Sequence, residues 1–414
     1  MSRLEELIQQ YCPDGVEYKP LGELCSLITK QTGFDYTNYI KDQLRRVKDP
    51  DTVPYIQTKF FTGKVFNYNT DYYVPFDVVD KFPKITLDEK CILFSIVGAS
   101  IGNVGLFPGT LKCFLGGAIC VAKLNDFISP DYVFYCVESE IVQKQIKRKI
   151  KGAGQATITV EDIRQFTIPV PPLPVQEEIV RILDNFTELT AELQAELQAR
   201  KKQYEYYRDE LLHLNGDRKT IEDLFDTRNG FTPSKDNPDF WESGTLPWFK
   251  LDDINDKGRV LSESYLHITP KALKKSGLFP ENSIIISTSA TIGEYALITV
   301  PFLCNQRFTC LTVKPKYKEQ VNTKYLMHYC PMLSKFCKEH LNQGNFASVD
   351  MKQFSKFEFV IPPLEEQERI VTILDRFDSL CNDITSGLPA EIDARQKQYE
   401  YYRDKLLSFP ALSQ

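Results

Sequence analysis

Histidine is scarce in this chain, with four among 414 residues, and none comes before His213. Chemistry that depends on imidazole, whether acid–base or metal-assisted, therefore has little to draw on. The eleven cysteines contain no Cys-x-x-Cys pair, and structural zinc sites ordinarily need such local pairs. Gly-x-Gly-x-x-Gly, the Walker phosphate loop and His-Glu-x-x-His are all missing, which removes the usual nucleotide-binding and metalloprotease signatures. No apolar run of roughly 18 residues exists, so no membrane-crossing helix is expected. The opening Met1-Ser2-Arg3-Leu4-Glu5-Glu6 is charged and lacks the apolar centre of a signal peptide, and a cytoplasmic location is the expectation. Surplus positive charge is lacking too: 50 basic against 56 acidic side chains leave a net −6.

The densest grouping of soft ligands is His328, Cys330, Cys337 and His340. Leu326, Cys330, Leu333 and Cys337 step by 4, 3 and 4, the spacing of one buried helical stripe interrupted at Pro331. Buried reduced thiols are expected there, and no metal.

What the chain does have is a duplication. Lys202-Gln203-Tyr204-Glu205-Tyr206-Tyr207-Arg208-Asp209 recurs unchanged as Lys397-Gln398-Tyr399-Glu400-Tyr401-Tyr402-Arg403-Asp404, 195 residues later. Upstream, Pro171-Pro172-Leu173, Gln176-Glu177 and Ile182-Leu183-Asp184 match Pro362-Pro363-Leu364, Gln367-Glu368 and Ile373-Leu374-Asp375, 191 residues later. The difference is an insertion around Ser386-Gly387-Leu388-Pro389. Fainter matches link Leu21 and Leu24 to Ile221 and Leu224, Val53-Pro54-Tyr55 to Leu246-Pro247-Trp248, and Ala156-Thr157-Ile158 to Ala347-Ser348-Val349. Two copies began alike, so whatever stayed alike performs one task twice, and whatever diverged has drifted or been retuned.

The retained parts are helical. Ile179, Leu183, Phe186, Thr190, Leu193, Leu197, Arg200, Tyr204, Tyr207 and Leu211 follow a 3–4 spacing, and all but Thr190 and Arg200 are apolar or aromatic, a seam sustained over several heptads. Asn215-Gly216 supplies the stop. The second seam runs through Ile370, Leu374, Phe377, Cys381 and Ile384, and resumes at Tyr399, Tyr402 and Leu406. Between them Pro389 is expected to kink or break the helix. An amphipathic helix this long needs a partner for its apolar edge. An antiparallel pairing of the two copies would return the C-terminus to the first globular part. Charge separates the same segments: residues 168–219 and 362–414 together carry 13 basic and 20 acidic side chains, and the remaining globular parts sum to +1. Acidic helices suit spacing and protein docking better than contact with phosphate.

Two motifs invite a catalytic reading. Gly98-Ala99-Ser100-Ile101-Gly102 fits a nucleophile elbow, which requires a strand before it and a helix after it. Asn103-Val104-Gly105-Leu106-Phe107 reads instead as a second strand, so a hairpin turn is expected. Pro13-Asp14-Gly15-Val16-Glu17-Tyr18-Lys19 has nuclease-like residues, but its carboxylates are too close in sequence to come from neighbouring strands, and Asp14-Gly15 signals a turn. No active site is expected in this chain.

The duplicated proline–leucine–glutamine start of a heptad helix and the Gln-Tyr-Glu-Tyr-Tyr-Arg-Asp element resemble specificity subunits of Type I restriction–modification enzymes. Asn229-Gly230-Phe231-Thr232-Pro233-Ser234, with Trp241 and Leu246-Pro247-Trp248, resembles the start of their target-recognition domains. The resemblance covers essentially the whole chain. It implies a mixed α+β fold with two target-recognition domains related by pseudo-two-fold symmetry, joined by two long antiparallel helices forming a coiled coil. The expected limits are 1–170 and 214–361 for the recognition domains, and 171–213 and 362–414 for the helical spacers. The resemblance further implies double-stranded DNA, two methyltransferase subunits and motor-nuclease subunits as partners, with S-adenosylmethionine, ATP and Mg²⁺ held by those subunits.

Candidate DNA contacts are loop side chains suited to phosphates or base edges. The first copy offers Lys30, Gln31, Thr32, Lys59, Ser100, Asn103, Gln155 and Thr157, and a basic run of Lys144, Lys147, Arg148, Lys149 and Lys151. The second offers Arg228, Asn229, Thr232, Ser234, Lys235, Lys250, Asn305, Gln306, Arg307, Gln343, Asn345 and Ser348. Each also suits an ordinary solvated surface, so the set carries more weight than any member. A sequence pI near 5.5 predicts weak DNA binding by the isolated chain, because duplex affinity draws on cationic neutralisation. A protein-only scaffold, two globules on a coiled coil, is the rival reading that this charge favours.

Overall fold

The computed structural model describes residues 2–150, 157–213, 216–342, 347–383 and 386–412. It divides into two compact units, one of residues 1–194 with 392–414, the other of residues 195–391.

In the first unit, Cys25–Lys30, Ile119–Leu124, Cys91–Ser95 and Val104–Phe107 form an antiparallel sheet in that order. All five residues of Cys91–Ser95 are buried, which is why this strand reads as an unbroken apolar run. Its side chains alternate between two cores. Ile92 and Phe94 face a helical layer containing Tyr132, Val133 and Ile146, while Cys91 and Leu93 face a second, smaller sheet. That sheet is ordered Tyr73–Pro75, Thr52–Ile56, Cys113–Leu115, Thr86–Leu87.

The second unit repeats the plan. Phe225–Asn229, Phe308–Val313, Ser283–Ser287 and Tyr295–Ile298 line up in order, with Val260–Leu261 added at the edge. Ile284 and Ile286 enter the helix-side core and Ile285 enters the other. Leu266–Ile268, Leu246–Phe249 and Leu303–Cys304 make the smaller sheet. Two of the faint sequence matches are borne out: Leu21–Leu24 and Ile221–Leu224 are both single helical turns with both end residues buried, and Thr52–Ile56 and Leu246–Phe249 are both strands.

The first rod is one helix, Leu173–Leu212, running from the first unit into the second; its 40 residues span roughly 60 Å at 1.5 Å per residue. The second is broken, as its insertion predicted, into Leu364–Asn382 and Leu388–Leu406. Pro389 falls in the first turn of the later piece, where a missing N–H costs little. The C-terminus does return to the first globule: Leu407 and Phe409 join its core, and Leu412 N–H donates to Val16 O at 3.0 Å.

The heptad stripe serves more than one partner. Ile179 and Leu183 are fully buried in the first globule's core, and Ile370 and Leu374 in the second's. Burying each stabilises by about 1.5–3 kcal/mol. Tyr399 and Leu406 lean on the first core, and Tyr204 and Leu211 on the second, where Leu212 is the fully buried neighbour. Leu193 and Leu197 are half-buried. Rod-to-rod ring contacts come from Phe186 with Tyr402, and from Tyr204 and Tyr207 with Phe377. Ile384 and Asn215 lie outside the described residues.

Cys330 and Cys337 are buried in the helix-side core. His328 Nε2 lies 2.9 Å from Asp375, and His340 Nδ1 lies 2.9 Å from the Phe336 carbonyl. Among the described residues no helix is long and apolar enough to cross a membrane.

Candidate nucleic-acid interface

In each globule the central sheet ends in the same way. Ser95 and Val104 are joined by a hairpin turn, and Ser287 and Tyr295 by another. In the first, Gly102 N–H donates to Ser95 O at 2.9 Å; in the second, Gly293 N–H donates to Ser287 O at 2.9 Å. Both closing glycines sit at positive φ, 86° and 92°, which side chains rarely adopt. A methyl on Gly293 would also meet Ser334 Oγ at 2.3 Å. A strand follows Ser100, so the elbow geometry is absent and Ser100 is a turn residue. Each turn is pinned by an equivalent bridge, Val97 to Thr157 and Ser289 to Ser348.

Register then collects the first copy's candidates. Lys30 pairs with Cys120 and Ile119 with Ser95, so Lys30, Gln31 and Thr32 leave the sheet at the end that carries Ser100, Asn103 and Thr157. Lys30 is exposed and has no ion-pair partner among the described residues. Gln31 is a correction to its expected role: it is 4% exposed, with its amide donating to Leu115 O at 3.2 Å and accepting from the Tyr55 hydroxyl at 3.1 Å. Its place at a strand end looked like a loop, but two neighbouring strands close over it. Thr32 accepts from Asp35 N–H at 3.0 Å and caps the next helical turn. The helix Glu140–Lys149 lies alongside, with Ile146 3.2 Å from where a side chain on Gly102 would start. On it Lys144 pairs with Glu140 and Lys149 with Asp162, leaving Lys147 and Arg148 exposed without carboxylate partners among the described residues. Lys59 pairs with Asp71. Lys151 and Gln155 lie outside the described residues.

The second copy's candidates converge more tightly. Asn229 pairs with Thr309 across the sheet and accepts from its hydroxyl at 2.9 Å. Thr232 bonds Gln306. Lys250, Asn305 and Arg307 line one notch of about 170 Å³ with Ser287, Ser289 and Thr291. Ser348, bridged to Ser289, completes the group. Arg307 is exposed and its guanidinium has no ion-pair partner among the described residues, whereas Lys250 pairs with Asp252. Arg228 does not join this face as a free reader. Its guanidinium donates to Ser276 O at 2.6 Å and Gly277 O at 3.3 Å and lies 4.0 Å over the Phe279 ring. Ser234 gives its carbonyl to Trp241 Nε1 at 2.9 Å, and Lys235 is exposed. Gln343 and Asn345 lie outside the described residues.

Opposite in role are the anchors that hold each globule to its own rod, which sequence reasoning left unassigned. Gln176 is buried; it accepts from Ser129 N–H at 2.9 Å and donates to Pro171 O at 2.7 Å. Gln367 does the same, accepting from Asn322 N–H at 2.8 Å and donating to Pro362 O at 2.8 Å. Asp184 takes Lys64 and the Tyr135 hydroxyl, and Asp375 takes His328 and, at 3.3 Å, Lys324. The His328 hydrogen bond holds the Asp375 carboxyl below its ordinary range. Their identity at matching positions in both copies was the available signal.

The Type I restriction modification DNA specificity domain family matches residues 13–200 and 216–394, one globule with the leading part of its rod in each case. The EcoprrI specificity subunit of Escherichia coli is 50% identical over 193 residues, 45% of this chain and 48% of that subunit. The EcoR124I/EcoR124II specificity subunit of Escherichia coli is 41% identical over 306 residues, 67% of this chain and 70% of that one. Among solved structures, a chain of a type I R-M system superposes with a TM-score of 0.62 over 95% of this chain and 98% of its own, at 18% identity, and so shares the fold. The sheet-end loops, the duplicated anchors and these matches together place the chain in the Type I restriction–modification family, as a DNA specificity subunit.

Proposed function

We propose that each globule, 1–170 and 214–361, reads one half of a split DNA target through its sheet-end loops, and that the rods 171–213 and 362–414 set the gap between the halves. The carrying observation is a division of labour inside one chain. The rod-side anchors, Gln176 and Asp184 in one copy and Gln367 and Asp375 in the other, are the same, while the loops at the free sheet ends differ. A fixed mount with changed reading loops is what a bipartite reader requires.

The repeated octet marks where partners dock. Arg208 and Arg403 turn inward over Tyr204 and Tyr399, which accounts structurally for those residues. Tyr206 and Tyr401, 62% and 61% exposed, rest edge-on against Tyr207 and Tyr402 at 5.5 and 5.4 Å and leave most of their rings to solvent, yet both copies keep them. Exposed tyrosine is a common interface anchor, and two identical surfaces suit two copies of one partner, a methyltransferase subunit. Motor-nuclease subunits would join that core. This reading assigns binding of S-adenosylmethionine, ATP and Mg²⁺, and all bond-making, to those partners.

Co-expression with the methyltransferase partner, followed by genome-wide mapping of methylated bases, tests this reading. A motif in two parts with a constant unread gap, present only when this chain is supplied, is the expected result. A contiguous motif, or methylation indifferent to the chain, would overturn it.

A further inference from the structure

In the first globule the backbone after Thr32 makes a helical turn, Gly33–Asp35, and then a π-type turn, Tyr36–Ile40, closed by Lys41 N–H donating to Tyr36 O. Such wide turns are rare and tend to mark functional positions. The extra residue lets Ile40 sink fully into the core, where it is 0% exposed, while Tyr39 and Phe34 swing outward, 52% and 68% exposed. Soluble surfaces seldom spend aromatic area this way without a partner. The two rings meet edge-on at 6.1 Å, and Tyr39 is backed by Phe82, itself against buried Phe114. The pair is thus braced from behind.

Residues 31–51, the stretch between the flanking strands, carry four basic and four acidic side chains, and pairing separates them. Lys41 and Lys48 are exposed and, among the described residues, without carboxylate partners; Arg46 lies over the Tyr72 ring, 5.8 Å from its centre, and also lacks a carboxylate. Arg45 pairs with both Asp49 and Asp51, while Asp35 accepts from the Thr32 hydroxyl and keeps its charge. Asp42 is the one nearby carboxylate without a described partner. Lys30, at the reading end of the sheet, lies four residues before Phe34. Braced exposed aromatics that follow the strand end carrying the candidate DNA contacts, with Lys30, Lys41, Arg46 and Lys48 free of ion pairs among the described residues, match a polyanion with stacked rings.

We propose that Phe34 and Tyr39 form an aromatic wedge that packs against duplex DNA at a base step of the first half-site, with Lys30, Lys41, Arg46 and Lys48 on the flanking phosphates. The proposal rests on the reading that this globule binds DNA. The stretch between the equivalent strands of the second copy, residues 230–245, has one lysine against three carboxylates, where residues 31–51 have four of each, and the wedge is assigned to the first half-site alone.

The test uses the full chain assembled with its methyltransferase partner and a labelled duplex carrying the methylated motif mapped in cells. Wild-type binding of that duplex over a scrambled one is the check on the underlying reading; without it, that reading fails, and the wedge with it. Given such binding, Phe34→Ala with Tyr39→Ala should weaken it by on the order of 10-fold to 100-fold, as removal of base–aromatic stacking does, with an unchanged salt slope. Phe34→Tyr with Tyr39→Phe should keep most of the affinity. Lys41→Ala with Arg46→Ala should flatten the salt slope by about 0.9 for each phosphate that is no longer neutralised. Wild-type affinity and slope in the alanine variants would overturn the wedge. So would dissociation of the methyltransferase subunit from the complex, which would make the patch a protein-binding surface.

Discussion

Phe186 lies face to face with Tyr402, ring centres 5.6 Å apart and planes 22° from parallel, and Phe377 lies on Tyr207 at 6.0 Å and 29°. Phe186 corresponds to Phe377 in the duplication, and Tyr402 to Tyr207. Each copy therefore gives its phenylalanine to the other copy's tyrosine, so the duplicated pair is used reciprocally, once within each unit. The stacks are half-open to solvent, so their worth lies in ring–ring complementarity more than in buried area.

A double-mutant cycle measures that worth. Phe186→Ala and Tyr402→Ala, singly and together, should show a coupling of about 0.5–1.5 kcal/mol in urea unfolding. Phe377→Ala with Tyr207→Ala should give a similar value. Purely additive losses would mean that the rings touch without stabilising the pairing.

The buried amides set a second expectation. Gln176→Ala strands the Ser129 N–H and the Pro171 carbonyl, and Gln367→Ala strands the Asn322 N–H and the Pro362 carbonyl. Leaving a buried group unpaired costs about 1–3 kcal/mol, so each variant should unfold at correspondingly lower urea, whereas Glu177→Ala one position along should not. Equal effects at positions 176 and 177 would remove the anchor role.

These amides show how far the sequence could be read. The duplication exposed the two globules, the two rods and the break near Pro389, because helix period and proline geometry are local properties. The turn at Gly98–Gly102 was legible for the same reason: an apolar strand follows it. What a side chain faces is not local. Ile179 and Phe186 share one 3–4 stripe, yet one enters a globular core and the other meets a rod. Gln31 and Lys30 are adjacent, yet one is enclosed by Leu115 and Tyr55 and the other points to solvent. Phe34 and Tyr39 gave no periodic signal, since a π-type turn obeys neither the strand nor the helix period.

Glu138 carries a pH expectation. Burial, opposed by the nearby Arg403 and Lys64 charges, raises its pKa to about 7. The unfolded chain releases this proton near 4.5, so between about 4.5 and 7 the folded state holds more protons and stability falls as pH rises. Above about 7 the penalty is constant, at most on the order of 3 kcal/mol. Glu138→Gln should therefore gain on the wild type as pH climbs through that window, read from thermal midpoints at a series of pH values. A gap that stays flat, or narrows, from pH 4.5 to 7 would show that this carboxyl titrates normally.

The rod itself offers the sharpest mechanical check. Ala191-Glu192-Leu193-Gln194 is repeated at once as Ala195-Glu196-Leu197-Gln198, all within the unbroken helix Leu173–Leu212. A third copy of this tetrad adds good helix formers and, at 3.6 residues per turn, nearly restores the face. It should lengthen the rod by about 6 Å, close to two base-pair rises of about 3.4 Å. If the rod sets the gap, the methylated motif should keep both halves and gain about two unread base pairs. The same tetrad placed between Asp383 and Gly387, where the second rod is already interrupted, adds no helical rise and should leave the gap as it was. A motif unchanged by the first insertion, or altered equally by both, would show that something other than this helix measures the distance.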